Sequence, residues 1–286
     1  NIALTPTAKL LNFFLTKLTP HFENLWTETT REAHEIDPTV PIMTNSWVCS
    51  NSIEIADIFR RLNSELTPEE REQVDIQTYD FSTLYTTLPQ DDICRVFDWL
   101  FDRIFSGLED GVAGPPKFTH LAYNKSSSVD NAFLVNGTIP PRLPKSAPKF
   151  HYISLSDLKK LFHFLIINTY VKVGDRIYRQ SVGIPMGTNP AVKIANYYLF
   201  YWELCWIRKL VKFRLFDVLK TNLRNKRFVD DLIAFQKLGT PLPFGPKFMT
   251  KKSYQFPSHP GVNAFGIYPN FLGCNEEDRV NHNNKD

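Results

Sequence analysis

RFVDDLIAF, Arg227 to Phe235, sets two adjacent aspartates inside an otherwise apolar run. Neighbouring carboxylates repel, and a buried, unpaired one costs several kcal/mol or shifts its pKa until it is neutral. The arms RFV and LIAF fit a β-hairpin with Asp230 and Asp231 at its tip, projected into a cleft and not sealed in a core. The compensation expected there is a pair of divalent metal ions.

A second carboxylate source lies far upstream. TYDFSTLY holds Asp80 at the end of an expected strand, between Tyr79 and Phe81. Hard oxygen ligands from two separate strands are what Mg²⁺ takes, with water and substrate phosphates completing its shell. Two such ions about 3.5–4 Å apart clamp the attacking and leaving oxygens of an in-line phosphoryl displacement. A strand-end Asp with a hairpin Asp-Asp is therefore a nucleotidyl-transfer arrangement.

Between these acids lies a loop-to-helix junction, QSVGIPMGTNPAVKIANYYLFYWELCWIRKL. Gly183, Pro185 and Gly187 punctuate a turn where backbone can approach a ligand closely. Thr188 or Asn189 can cap the helix and Pro190 suits its first position. The aromatics Tyr197, Tyr198, Phe200, Tyr201 and Trp202 are expected in the core.

Elsewhere the apolar spacing predicts helices over Thr5–Thr19, Ser52–Leu62 (capped by Asn51 or Ser52) and after Pro89, where Ile93, Val96, Phe97, Leu100 and Ile104 share a face. TPEEREQV reads as a cap with an acidic first turn, and Val74, Ile76, Thr78 and Tyr79 as a buried strand. SLSDLKKLFHFLIINTYV predicts a serine-capped helix carrying Leu158, Leu161, Phe162 and Leu165, and YVKVGDRIYRQ a hairpin about Gly174-Asp175. Gly, Pro and Ser density over 107–149 predicts a long irregular insertion.

The chain has 286 residues, 43% of them hydrophobic and 14% aromatic, with a net charge of +3 and a mean hydropathy of −0.26. This is the composition of a soluble globule with a sizeable core. A basic run from Arg208 to Arg227, opposed only by Asp217, leads into the aspartate pair, where a polyanion would have to be held. Cys49, Cys94, Cys205 and Cys274 are widely spaced, and the seven histidines show no ligand spacing, which excludes a zinc site or a disulfide scaffold. No apolar run reaches the roughly 18–20 residues needed to span a bilayer, so no membrane partner is expected and the location should be intracellular, nuclear or cytoplasmic. An Asn at position 1 and a polar tail point to a piece of a longer protein.

The ordered set DFSTLY, QSVGIPMGTNPA and FVDD resembles motifs A, B and C of the reverse transcriptase palm. The wording is similar to Penelope-like retroelement reverse transcriptases, relatives of telomerase reverse transcriptase. LYTTLP after Asp80, TYVKVGDRIYRQ before GIPMG, and IYPNFL at Ile267–Leu272 belong to the same likeness, which covers roughly Thr5 to Leu272 apart from the insertion. It implies a mixed α/β (α+β) right-hand polymerase palm with partial fingers, an antiparallel sheet backed by helices. Residues 1–75 would be partial fingers leading into the palm, 76–106 the motif A region, 150–272 the palm with motifs B and C, and 273–286 a tail.

The resemblance implies RNA-directed DNA synthesis on an RNA template and a DNA primer with dNTPs. Two Mg²⁺ ions, with Mn²⁺ as a substitute, would be held by Asp80 and Asp230, assisted by Asp231 and the carbonyl of Phe81. Phe81, Ser82, Thr83, Leu84, Tyr85 and Gln180 would contact the nucleotide, with Tyr85 the steric gate against a ribose 2′-OH. Gly183, Ile184, Pro185, Met186, Gly187, Asn189 and Pro190, with Phe228 and Val229, would position template and primer. The upstream finger residues, the thumb and the lysine usual after the IYP segment are missing; GCNEEDR stands there instead. The rival expectations are a decayed or domesticated reverse-transcriptase-like domain that binds nucleic acid without polymerising, and an RNA-templated RNA polymerase.

Overall fold

The computed structural model describes residues 5–49, 51–72, 74–81, 84–106, 117–124, 131–137, 150–184, 187–237 and 267–268. The fold is mixed α/β with antiparallel sheets. The chain divides into two compact units, Asn1–Phe22 with Pro89–Ile194, and Glu23–Leu88 with Ala195–Asp286.

Helix α1 runs from Thr5 to Ile36 and contributes to both units. It passes through Pro20, so the helix expected to end at Thr19 continues for nearly five further turns. Proline in a helix interior removes one backbone bond and costs about 3 kcal/mol. Burial of Phe22, Leu25, Trp26 and Ala33 beyond it offsets that loss.

In the first unit α5 (Gln90–Ser106) and α6 (Leu155–Ile167) pack through an aromatic seam, with Phe97 stacked on Phe162 at 4.3 Å and Phe101 edge-on at 5.8 Å. The side chain of Ser154 caps α6 by accepting from the Asp157 amide. Strands β2 (His120–Asn124), β3 (Asn131–Val135) and β4 (His151–Ser154) form an antiparallel sheet in the order β3-β2-β4. Two of these strands fall within the stretch expected to be irregular. They are five residues each, too short for their period to stand out among the surrounding Gly, Pro and Ser. Strands β5 (Tyr170–Val173) and β6 (Arg176–Arg179) form a hairpin about Gly174, whose φ of 58° suits glycine in the turn.

The second unit is built on a three-stranded antiparallel sheet, ordered β1 (Val74–Asp80), β8 (Asp231–Lys237), β7 (Lys226–Phe228). Helix α7 runs from Ala191 to Lys212, and of its residues Tyr197, Tyr198, Phe200, Tyr201 and Trp202 are all buried. Trp26 meets Trp47 at 6.0 Å and Phe200 at 6.1 Å. Helix α2 (Ser52–Glu65) is capped by Asn51, whose Oδ1 accepts from the amides of Ile53 and Glu54. Its Ile58 and Phe59 pack with Phe235 and Ile233 of β8. Strand β1 departs from the expectation of a buried strand: among the described strands it lies at the edge, with Ile76 44% exposed and Thr78 exposed. Short helices α3 (Pro68–Glu72), α4 (Leu84–Thr87) and α8 (Phe216–Asn222) complete the description.

Candidate active site

The hairpin of β7 and β8 closes on Val229 and Asp230, with Phe228 paired to Asp231. The next strand over brings the upstream acid to the same level: Asp80, the last residue of β1, is the register partner of Asp231. Past it, the Phe81 amide donates to the Asp230 carbonyl at 3.1 Å. That bond makes 81–230 a hydrogen-bonded pair. The 80–231 pair is then the intervening, non-hydrogen-bonded one, in which Cα atoms stand about 4.5 Å apart. Phe228, Asp231 and Asp80 therefore form a row across one face of the sheet, with Asp230 in the adjoining turn. The side chain of Asp80 lies outside the described residues, as do Ser82, Thr83, Pro185 and Met186.

This end of the face is open. Asp231 is exposed, Asp230 half-buried and Phe228 42% exposed, whereas Phe235, four residues along β8, is covered by α2. The described backbone brings positions 80, 230 and 231 to this end, two by register and one by a tight turn, with the Phe81 amide bonded to that turn. Carboxylates of this kind suit a hard divalent cation better than a soft one. Among the described side chains no group of three or more His, Cys, Asp and Glu is placed to hold a metal ion.

The turn itself is strained. Val229 has φ 55°, and Asp230 is not in the left-handed region. A positive φ at only the first central residue is the signature of a type II′ turn, where glycine is usual and a β-branched residue an outlier. Arg227 answers for it. Its Nη1 donates to the Val229 carbonyl at 2.8 Å and to Asn196 Oδ1 at 2.9 Å, Nη2 donates to the Asn196 carbonyl at 3.0 Å, and Nε to Glu203 Oε1 at 2.5 Å. Tyr268 donates to the same Glu203 oxygen at 2.8 Å, and its ring meets the edge of Phe81 at 4.8 Å. Burial works against the Arg227 charge, but Glu203 and Tyr268 outweigh it and raise the guanidinium's pKa.

The end of the basic run is thus not a surface for a polyanion. Arg227 is fully buried, and Lys226, also buried, donates to the Ser46 carbonyl at 2.6 Å. Burial lowers the Lys226 pKa, with Cys49 and Glu23 opposing. Glu203 and Asn196 escape a reading of motifs, and Tyr268 enters it only as part of IYPNFL, without a role. The signal for Glu203 was an acid inside YYLFYWELCWI, a helix whose neighbours are nearly all apolar.

Tyr85, on α4, is half-buried. Its pKa is raised by burial and then by the charge of Asp230, with Arg227 opposing, which puts the phenol within electrostatic reach of the turn. Leu84 and Phe81 are buried, so their side chains serve packing. In the first unit Gly183 (φ 88°) and Gly187 (φ 80°) bend the loop before α7, where Ile184 and Pro190 are buried and Gly187 and Asn189 exposed. A Cβ at Gly187 would meet nothing within 4 Å, so glycine is required there by φ alone. Gln180 braces this loop: its Nε2 donates to the carbonyls of Val182 at 2.9 Å and Ile184 at 3.3 Å. The Pro190 carbonyl accepts from Ile194 at 2.9 Å, which puts Pro190 one position earlier than expected, at the cap.

Of the segment after the hairpin, Ile267 and Tyr268 are described and buried. Pro269 to Leu272, Lys247, Lys251, Lys252 and GCNEEDR lie outside the described residues. No described helix is long and apolar enough to cross a membrane.

No family model matches the sequence, and no curated protein matches it. Among solved structures it is similar to telomerase of Candida albicans in complex with a fragment of telomeric RNA, at 14% identity and a TM-score of 0.44, over 82% of this chain and 30% of that one. Apo telomerase of Candida tropicalis gives 17% identity and a TM-score of 0.45, over 82% and 31%. The chain spans about a third of the length of these proteins, and likeness at this level leaves the function to be argued from the site.

Proposed function

We propose that this chain is the catalytic palm of an RNA-directed DNA polymerase of the Penelope-like type. The observation behind the reading is the Asp80–Asp231 register beside the Asp230 turn, three acids from two distant segments at one open end of one sheet. Asp80 and Asp230, with Asp231 assisting, would hold two Mg²⁺ ions, which when bound supply charge neutralisation at the attacking and leaving oxygens. The chain's own part is positioning. The cross-strand register fixes two of the acids, the Arg227-held turn fixes the third, and the bonded Phe81 backbone keeps the strand end against them. Tyr85 would stand beside the nucleotide sugar. A primer 3′-OH attacks the α-phosphate of a dNTP, the P–O bond to pyrophosphate breaks, and the hydroxyl proton leaves to solvent.

The test is primer extension on an RNA template with a DNA primer, dNTPs and Mg²⁺, in this chain and in the longest natural protein that contains it. Incorporation that is lost in Asp230→Ala supports the reading. No incorporation above that control in either protein favours a nucleic-acid-binding domain without activity.

A further inference from the structure

The hairpin of β5 and β6 is unlike every other strand pair described. All eight of its residues are exposed, and among the described residues it pairs with no third strand. Exposure reaches 44% at Tyr170, 47% at Val171, 63% at Val173, 71% at Ile177 and 50% at Tyr178. A two-stranded ribbon is marginal in water on its own, and this one carries five large apolar or aromatic side chains that are between 44% and 71% exposed, a surface of the kind that meets a ligand or partner.

Its base, however, is firmly set. The Gln180 amide donates to the Thr169 carbonyl at 2.8 Å, and Thr169, buried, donates from Oγ1 to the Leu165 carbonyl of α6 at 2.9 Å. The Gln180 carbonyl accepts from Gln90 Nε2 at 3.0 Å, and its side chain braces the Gly183 loop. The ribbon is an arm fixed at its root to the loop that the proposed function assigns to template positioning.

The arm's charge sets the chemistry of what its exposed surface meets. The arm carries Lys172, Arg176 and Arg179 against a single carboxylate, Asp175 in the turn. By register, Tyr170 stands opposite Arg179 and Lys172 opposite Ile177, so one face presents a tyrosine between two cations. An aromatic ring among cations on a fixed arm is the chemistry of a single-stranded nucleic acid site: the ring takes an unstacked base and the cations take the flanking phosphates. We infer that the β5–β6 ribbon is a docking arm for single-stranded RNA, with Tyr170 as the stacking platform and Lys172 and Arg179 as phosphate contacts. The choice of RNA rests on the proposed function; the arm's affinity for a strand does not depend on catalysis.

The test measures binding of a labelled single-stranded RNA oligonucleotide to the whole chain by fluorescence anisotropy across a salt series, without nucleotide and with metal chelated. Each phosphate contact to a single strand contributes about 0.7 to the slope of log K against log salt. Lys172→Gln with Arg179→Gln should therefore lower the slope by about 1.4. Tyr170→Ala should weaken binding by about 5- to 100-fold and leave the slope unchanged, and Asp175→Asn should tighten it. Because binding is read with metal chelated and without nucleotide, a failed polymerase assay leaves this result standing. An unchanged slope in the double variant, or equal affinity in Tyr170→Ala, overturns the inference and turns the arm into a protein contact.

Discussion

Arg227 and Glu203 form an ion pair in which both side chains are fully buried, with Nε donating to Oε1 at 2.5 Å. The residues are 24 positions apart, one on the strand that leads into the aspartate turn and the other in the middle of α7. The pair ties three things to the helix at once: the Val229 carbonyl through Arg227, the Tyr268 hydroxyl through Glu203, and the Phe81 ring through Tyr268. The segments bearing all three acids of the proposed site are thereby referred to one buried centre.

Removing one partner leaves the other charge buried without compensation, which costs about 3–5 kcal/mol. Arg227→Met should lose stability in that range by urea unfolding. Adding Glu203→Gln to it should cost less than the sum of the single losses, because the pair is then removed together. Tyr268→Phe removes a neutral donor to a charged acceptor and should lose about 1.5–3 kcal/mol. Single variants within about 1 kcal/mol of the natural chain would mean that water reaches the pair.

Cys94 should resist thiol reagents in the native chain. Burial, then the charges of Asp98 and Asp91, push its pKa up to about 12. Only the thiolate reacts, and at pH 8 a pKa of about 12 leaves it at about one part in ten thousand. Cys49 is raised too, chiefly by burial. The folded pKa of Cys94 lies above the unfolded one, so its contribution to stability is full below the ordinary thiol value of 9.0 and is lost as pH rises towards about 12. Labelling at pH 8 should be slow until urea unfolds the chain; fast native labelling at Cys94 would contradict its burial.

The first unit depends on the ring stack between α5 and α6. Phe162 is fully buried and meets both Phe97 and Phe101. Phe162→Ala should cost about 3–5 kcal/mol, read by thermal or urea unfolding. A loss below about 1 kcal/mol would show that the two helices close over the gap.

How much of this could be read from the sequence differs by element, for physical reasons. The hairpin at Arg227–Phe235 was legible because two acids interrupt two apolar arms, and α5 because five apolar residues repeat at helical spacing. Asp80 and the aspartate pair were expected to work together, but the pairing of Asp80 with Asp231 was not read, since pairing between residues some 150 positions apart leaves no local trace. Helix α1 beyond Pro20 was hidden because propensity disfavours an interior proline and only packing overrides it. The burial of Lys226 and Arg227 was hidden for the converse reason: a basic run reads as solvated until its partners, Ser46 and Glu203, are brought up from elsewhere in the chain.

Tyr85 separates two chemistries at the proposed site. If it stands against the sugar of the incoming nucleotide, Tyr85→Ala should raise incorporation of rNTPs relative to dNTPs by tenfold or more, about 1.4 kcal/mol of lost discrimination. An RNA-templated RNA polymerase would use rNTPs already, and the substitution would change little. Equal ratios in the natural chain and the variant would remove Tyr85 from the site.

Asp230 and Asp231 should not be equivalent, and the difference tests the register itself. Asp230 sits in the turn that Arg227 holds, whereas Asp231 lies in the ladder between Phe228 and Asp80. Under the proposed function Asp230→Asn removes a ligand shared by both ions and should abolish incorporation, while Asp231→Asn should leave a measurable residue of activity, higher with Mn²⁺ than with Mg²⁺. Both carboxylates are partly or fully open to solvent, so neither variant should lose more than about 1 kcal/mol of stability in the absence of metal. Metal binding can be read without turnover, from the rise in melting temperature with Mn²⁺ concentration. That rise should vanish in Asp230→Asn and shrink in Asp231→Asn. A rise unaffected by either substitution would place the metal elsewhere and break the link between the cross-strand register and catalysis.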